Sequence, residues 1–228
     1  MLHALLPSGH FTRQAASPCR SPSESARSWP LASVVIVPGI AAAKPLTGNV
    51  ACTLSGTAVI SPGLPLANDP PVTATKTYTS TTTFTGTLSN CTGEQQNINT
   101  KKGFGPIDHG TTTAVGKTKY KKGMNLPDCI GLTSPSVTTV LKATTLFMDA
   151  SNNLVGKSVA KLTVGAATLG PPTSFPSTGT VSGGNAFKKE SVTVVANLSN
   201  AGGPAGACNA GASTTFIFDD GTSTLDIH

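Results

Sequence analysis

The sequence predicts an all-β fold. Short runs of Val, Ile, Leu and Thr recur along the chain, and Gly, Pro, Asn and Asp separate them. No window of twelve or more residues carries a helical stripe of apolar residues with capping residues at its ends. Because 38% of the residues are apolar and only 11% are charged, the chain also differs from disordered sequences. We predict an antiparallel β-sandwich, immunoglobulin-like or a related Greek key, with a β-barrel as the alternative.

Residues 31–43 have the features of a secretory signal. They form an apolar segment that ends in Ala41 and Ala43, the small residues that a signal peptidase requires, and Arg27 adds positive charge upstream. The segment is too short for a transmembrane span, so we predict no integral membrane protein. The alternative is a buried strand or helix, and the long Pro/Ser-rich stretch 1–26 suggests either an upstream start or an extended leader.

This interpretation divides the chain into a leader, residues 1–43, and a mature β domain, residues 44–228. The mature domain is expected to be secreted or to stay with the cell envelope. One alternative is lipid attachment at Cys52, since Asn49-Val50-Ala51-Cys52 resembles a lipoprotein cleavage box. However, Asn49 is polar where that box has Leu, and lipidation would leave an odd number of cysteines.

The cysteines agree with an oxidising compartment. Removal of Cys19 with the leader leaves an even set of four: Cys52, Cys91, Cys129 and Cys208. Four cysteines allow three pairings, and we favour Cys52–Cys91 with Cys129–Cys208 because sequential pairing keeps each bridge within a local group of strands. Each bridge is expected to stabilise the fold by roughly 2–4 kcal/mol. The absence of zinc-like Cys/His spacing leads us to predict no metal and no cofactor.

Two strands are predicted in the first part of the mature chain. The first covers 47–61, where alternate apolar residues share one face: Val50, Cys52, Leu54, Ala58 and Ile60. Four prolines between 62 and 72 predict a loop. The second strand covers 75–91 and is rich in Thr, which suits a strand with one side in water. Its shared apolar face comprises Tyr78, Phe84 and Leu88.

The middle of the chain predicts a hairpin. An irregular loop at 92–111 precedes a Lys-rich strand at 112–122. The hairpin strands cover 137–148 and 154–164, with Asp149–Asn153 between them. The return strand alternates cleanly, with one side formed by Leu154, Gly156, Ser158, Ala160, Leu162 and Val164.

The last part of the chain predicts further strands between Pro-rich and Gly-rich links. A Pro-rich link at 170–177 leads to a strand at 178–183, and alternation of Val and Ala predicts another at 192–198. A Gly-rich loop at 200–213 follows. A terminal hairpin is predicted from 214–218 and 222–227, turned at Asp219-Asp220-Gly221 because Asp-Gly suits a two-residue hairpin turn.

Charge argues against nucleic acid as a partner. The net charge is +6, but all three arginines precede residue 44, and the mature chain holds 13 Lys against nine acidic residues. Without Arg, bidentate recognition of phosphates or bases is poorly served. The densest run of positive charge comprises Lys117, Lys119, Lys121 and Lys122. We interpret it as protection of an exposed edge strand, with an anionic glycan or lipid headgroup as the alternative contact.

His109 is the strongest catalytic candidate. It is the only mature histidine besides His228, and Asp108 precedes it. Neighbours in sequence rarely reach the geometry of a Ser-His-Asp triad, and no Gly-x-Ser-x-Gly elbow occurs. We therefore predict an exposed loop histidine, no enzyme activity and no catalytic residue, with a hydrolase using His109 as the alternative.

Other binding classes receive limited support. Asp219, Asp220 and Asp226 could offer oxygen ligands to Ca²⁺, but the Asp-Gly turn explains them more simply. Sugar binding commonly uses aromatic platforms, and the mature chain has no Trp and only Tyr78 and Tyr120. A carrier of an apolar ligand needs an aliphatic cavity, which this composition permits.

Three stretches carry a resemblance to a known family. These are Cys52-Thr-Leu-Ser-Gly-Thr-Ala-Val-Ile-Ser-Pro-Gly-Leu64, Phe84-Thr-Gly-Thr-Leu-Ser-Asn-Cys91-Thr-Gly93 and Thr178-Gly-Thr-Val-Ser-Gly, followed by Cys208. Together they resemble small exported β-rich proteins of actinobacteria, a family without a known activity. The resemblance implies export, β structure and disulfides. We therefore predict a secreted or envelope-associated, non-catalytic binding module, whose partner is an envelope glycan, a lipid or another surface protein.

Overall fold

The computed structural model describes residues 44–63, 76–123, 139–168, 172–199, 214–218 and 221–228, without the side chains of Tyr78 and Tyr120. The predicted leader, residues 1–43, lies outside these ranges, and so do Cys129 and Cys208. The export signal and the second predicted disulfide therefore stay predictions.

The described chain consists almost entirely of strands. In chain order they are β1 Thr47–Gly48, β2 Val50–Ser61, β3 Tyr78–Thr92, β4 Gln95–Gln96, β5 Ile107–Tyr120, β6 Thr139–Asp149, β7 Leu154–Val164, β8 Ser174–Gly184, β9 Ser191–Asn197, β10 Thr214–Phe218 and β11 Thr224–Ile227. A single 3₁₀ turn covers Thr100–Lys102. Within the described ranges, no helix is long and apolar enough to cross a membrane.

Eight of these strands close into an antiparallel barrel. Each strand pairs with the next one in the ring, in the order β2, β3, β5, β6, β7, β8, β9, β11 and back to β2. The all-β antiparallel prediction is confirmed, in the barrel form that the sequence analysis gave as the alternative. The ring follows chain order, so the described strands do not have a Greek-key arrangement. Closure gives every strand of the ring two partners, which removes exposed sheet edges.

The ring is closed by two strands that lie end to end. β10 pairs with the second half of β2, where Phe218 faces Gly56, and β11 pairs with its first half, where Thr224 faces Thr53. The prediction that 214–218 and 222–227 form a hairpin with each other is therefore wrong. The chain does not reverse between these strands, because both are needed to pair with β2 along its length. Asp219 and Asp220 lie outside the described residues.

Most of the predicted strands are confirmed, with shifted bounds. The hairpin of β6 and β7 turns at the predicted segment, and the predicted face of β7 points into the barrel except at Leu154, which is 53% exposed. The loop predicted at 92–111 is too long. β4 and the 3₁₀ turn lie within it, and β5 begins at Ile107.

Candidate functional site

The barrel interior is lined by every second residue of its strands. Because successive side chains of a strand point to opposite faces, most of the alternating apolar residues seen in the sequence meet in the lumen. The lining is mostly aliphatic and aromatic, and it encloses a cavity of about 150 Å³. This cavity is the candidate site.

One wall of the cavity is made of small side chains. Ala114 on β5 faces Ala143 on β6, and Ala143 faces Ala160 on β7. These three buried residues form one row across three strands, called here the alanine row. Three methyl groups side by side leave space that larger side chains would fill, because protein interiors otherwise pack without voids of this size.

Aromatic rings also line the cavity. The ring centroid of Phe175 lies 5.5 Å from that of Phe216 and 6.1 Å from that of Phe218, and Phe84 lies 6.2 Å from Phe218. These centroid separations are typical of favourable aromatic pairs. Four rings therefore face the lumen, with aliphatic side chains between them.

Two glycines make room for one of these rings. Gly56 on β2 faces Gly86 on β3, and a methyl group added at either would come within 2.7 Å of the Phe84 ring. Such a contact is closer than real side chains allow. The glycines at the centres of Ser55-Gly56-Thr57 and Thr85-Gly86-Thr87 therefore position Phe84 in the lumen.

A row of hydroxyl groups lies next to the alanine row. Thr112 faces Thr145, and Thr145 faces Ser158, on the same three strands. The Oγ1 atoms of Thr112 and Thr145 are 3.1 Å apart, and Ser158 Oγ donates to the Ala186 carbonyl over 2.7 Å. All three residues line the cavity. The cavity is apolar with a polar strip, called here the hydroxyl row.

One end of the barrel is plugged. Leu46 N–H donates to the Asn185 carbonyl over 2.9 Å, and Phe187 N–H donates to the Leu46 carbonyl over 2.7 Å. These bonds hold Leu46, Ala186 and Phe187, called here the plug, across the barrel end, where all three are buried. The rings of Phe187 and Phe147 meet edge to face at 5.5 Å. The plug closes the lumen on this side.

A disulfide joins two strands at the plugged end. Cys52 on β2 is bonded to Cys91 on β3, which confirms the first predicted bridge. The bond closes a segment with a sequence separation of 39, for which chain entropy alone gives about 4 kcal/mol of stabilisation. Because its sulfur is in this bond, Cys52 carries no lipid, and the lipoprotein alternative is wrong.

A buried carboxylate organises the β6–β7 turn. Asp149 Oδ1 accepts from the backbone N–H groups of Ser151 and Asn153, both at 2.9 Å, and its Oδ2 accepts from the Gly105 N–H and the Asn153 side chain at 3.0 Å. The hydrogen bond from Gly105, followed by that from the Asn153 side chain, lowers the pKa of Asp149 to about 2. The sequence predicts a turn here but not this role.

His109 is held in a strand rather than a loop. The register of β5 with β6 shifts between Ile107 and His109, so a β-bulge puts the adjacent side chains of Asp108 and His109 on the outer face. Nδ1 of His109 lies 3.0 Å from Asp108 Oδ2, a geometry that sequence neighbours were expected not to reach. Its Nε2 lies 3.1 Å from Asn152 Oδ1. In a catalytic triad, the second ring nitrogen of the histidine contacts the serine nucleophile. Here that nitrogen, Nε2, contacts the side-chain amide of Asn152 instead.

The lysine run lies at the end of β5. The described pairing reaches Lys117 and Lys119 only on the side of β3, because the pairing with β6 covers Ile107–Gly116. Protection of an edge therefore stays a prediction. These two lysines are exposed on the outer face of the barrel. Among the residues whose positions are described, no cluster of His, Cys, Asp or Glu could hold a metal ion, and Asp226 accepts a bond from Thr224 Oγ1 at 3.2 Å.

No protein family, curated protein or solved structure matches this chain. The kind of molecule that the site suits is therefore inferred from its geometry alone. The cavity has aliphatic, aromatic and hydroxyl-bearing walls and no charged side chain in its lining, a chemistry that suits neutral, mostly apolar molecules.

Proposed function

We propose that this protein is a non-catalytic binding protein that carries a small apolar molecule inside its barrel. The observation that carries the proposal is the lumen cavity of about 150 Å³ beside the alanine row. In another protein, an apolar cavity of about 150 Å³ stays dry and takes up benzene or xenon. The ligand is accordingly neutral and about as large as a six-membered ring.

Energetics support a ligand in this space. At about 24 cal/mol per Å³, a closed void of this size would cost about 3–4 kcal/mol of stability, and this cavity is only partly open to solvent. A bound apolar molecule restores the lost contacts and also leaves water. At the plugged end the large ring of Phe147 fills the lumen, whereas the three alanines leave the space for a ligand open.

We infer that the protein acts outside the cytoplasm, either secreted or in the cell envelope. The leader-like segment 31–43 and the Cys52–Cys91 bond support this, because disulfides persist in oxidising compartments. The resemblance to exported actinobacterial proteins belongs to the same proposal, as does an envelope glycan, lipid or surface protein as a partner. Mass spectrometry of the mature N-terminus in culture fractions tests it, and a protein that keeps residues 1–43 would contradict it.

The ligand proposal is tested by filling the cavity. Benzene at about ten times its dissociation constant is expected to stabilise the protein by about 1.4 kcal/mol, measured as a rise in the thermal midpoint. Ala143→Leu fills the space beside the alanine row, so the variant itself gains about 1–2 kcal/mol and loses the response to benzene.

Thr144→Leu is the matched control. Thr144 lies on the same strand but its side chain does not line the cavity, so this variant keeps the response of the wild type. The proposal fails if benzene leaves the wild-type midpoint unchanged, or if Ala143→Leu responds as the wild type does.

A further inference from the structure

We propose that the ligand of the lumen carries one hydrogen-bond acceptor, a carbonyl or ether oxygen, which is bound by the Thr112–Thr145 hydroxyl pair. This inference rests on the proposed function, since it specifies the chemical class of the molecule in the cavity. It distinguishes a neutral ketone, ester or ether from a plain hydrocarbon.

The two hydroxyl groups of the pair have one proton more than the bond between them uses. Thr112 and Thr145 each have one hydroxyl proton, and the 3.1 Å bond between their Oγ1 atoms uses one of the two, whichever residue donates. Neither hydroxyl forms another hydrogen bond with any residue that the structure describes. One O–H group of the pair therefore remains without an acceptor.

The surroundings of the pair make this unused donor costly. Thr112 is 4% exposed and Thr145 5% exposed, so bulk water does not reach them freely. A buried donor without an acceptor costs about 1–3 kcal/mol. The next inward-facing residues along β5 and β6 are Ala114 and Ala143 on one side and Gly110 and Phe147 on the other, and none of these side chains has an acceptor.

The cavity is the remaining place for an acceptor. Both threonines line it, and the third member of the hydroxyl row, Ser158, directs its own proton away to the Ala186 carbonyl. An oxygen on the ligand near the hydroxyl row would accept the unused proton while the rest of the molecule contacts the alanine row. An ionised carboxylate is disfavoured, because no charged side chain lines the cavity to compensate it.

The test uses two ring compounds of matched size, cyclohexanone and methylcyclohexane. Their dissociation constants are measured by ligand-dependent shifts of the thermal midpoint in the wild type and in Thr112→Val/Thr145→Val. Both threonines must be replaced, because either one alone would keep a proton for the ligand. Val has the shape of Thr, so loss of the whole pair is expected to leave folding nearly unchanged.

We expect the double variant to bind cyclohexanone about tenfold more weakly, the loss of one buried hydrogen bond, and to bind methylcyclohexane no more weakly than before. Thr113→Val/Thr144→Val is the matched control. These two threonines also face each other across β5 and β6, but on the outer face of the barrel, and neither lines the cavity, so this variant is expected to keep both affinities.

Three results overturn the inference. Equal affinities of wild type and Thr112→Val/Thr145→Val for cyclohexanone would mean that a buried water or nothing takes the proton. An equal loss of cyclohexanone binding in the outer-face control would show that the loss does not come from the Thr112–Thr145 pair. If neither compound binds the wild type, the proposed function fails as well, whereas unimpaired binding of methylcyclohexane leaves that function standing.

Discussion

Two rows of side chains on the same three strands differ in how completely they fill the barrel. At the plugged end, Phe147 on β6 lies between Gly110 and Gly156, and its ring is completely buried against Phe187. Two rows further along, the alanine row has a methyl group on every strand and a cavity beside it. The one large ring of Phe147 between two glycines fills the lumen, whereas the three methyl groups of the alanine row do not.

The difference comes from what lies outside the sheet. A methyl group at Gly156 would come within 2.8 Å of Ala186 Cβ, so the missing side chain is what lets the plug pack against the strand. No corresponding segment, among the parts of the chain that are described, packs onto the alanine row. The strands of the barrel alone therefore do not determine how completely the lumen is filled. At the plugged end, the plug adds the side chains that fill it.

The largest expected effect is at the plug. Phe187→Ala removes a fully buried ring and its contact with Phe147, so we expect a loss of about 3–5 kcal/mol in the free energy of unfolding, measured by chemical denaturation. Phe175→Ala is the matched variant beside the cavity, where the ring is only half-buried, and it is expected to cost less. Equal losses at the two positions would show that the two regions do not differ.

The disulfide is expected to have the next largest effect. Cys52→Ala/Cys91→Ala should lower the free energy of unfolding by roughly 2–4 kcal/mol, since the bridge mainly restricts the unfolded chain. The response to benzene should persist where the variant is folded, because the bridge is at the plugged end and neither cysteine lines the cavity. If the folded variant no longer responds to benzene, the plugged end and the cavity depend on each other, contrary to this comparison.

The smallest effect concerns Asp149 and appears only in acid. Its pKa is lowered to about 2, below the usual value near 4, so the carboxylate stabilises the folded state fully above about pH 4. This stability falls as the pH drops from about 4 through about 2. We expect Asp149→Asn to be less stable than the wild type at neutral pH, and the difference to shrink towards about pH 2, as measured by denaturation at each pH. A constant difference across this range would contradict the assignment.

Local patterns of the sequence predicted the wall of the barrel well. The alternation in 154–164 identified the inward face of β7, and Asp149–Asn153 identified the turn before it, because both depend on residues close in sequence. The terminal hairpin was predicted wrongly by the same local reasoning. Asp-Gly is compatible with a reversal, but pairing of β10 and β11 with the distant β2 requires the chain to continue in its direction.

The candidate site was less accessible to sequence reasoning. Ala114, Ala143 and Ala160 are unremarkable alone, and they form a row only through the register of three strands. The bulge that brings Asp108 to His109 likewise depends on a shift against β6. The glycine-centred triplets were a usable signal, since Gly56 and Gly86 face each other beneath the Phe84 ring. Strand register is a non-local property, and spacing along one chain does not specify it.

The seam between β2 and β11 has a consequence for how the chain is made. On the side of β2 away from β3, its first half, Val50–Thr53, pairs with residues 224–227. The ribosome adds these residues long after β2 itself. Until then a nascent chain has an unpaired edge there and no ring. Translation order thus delays closure of the barrel until the last strand has been made.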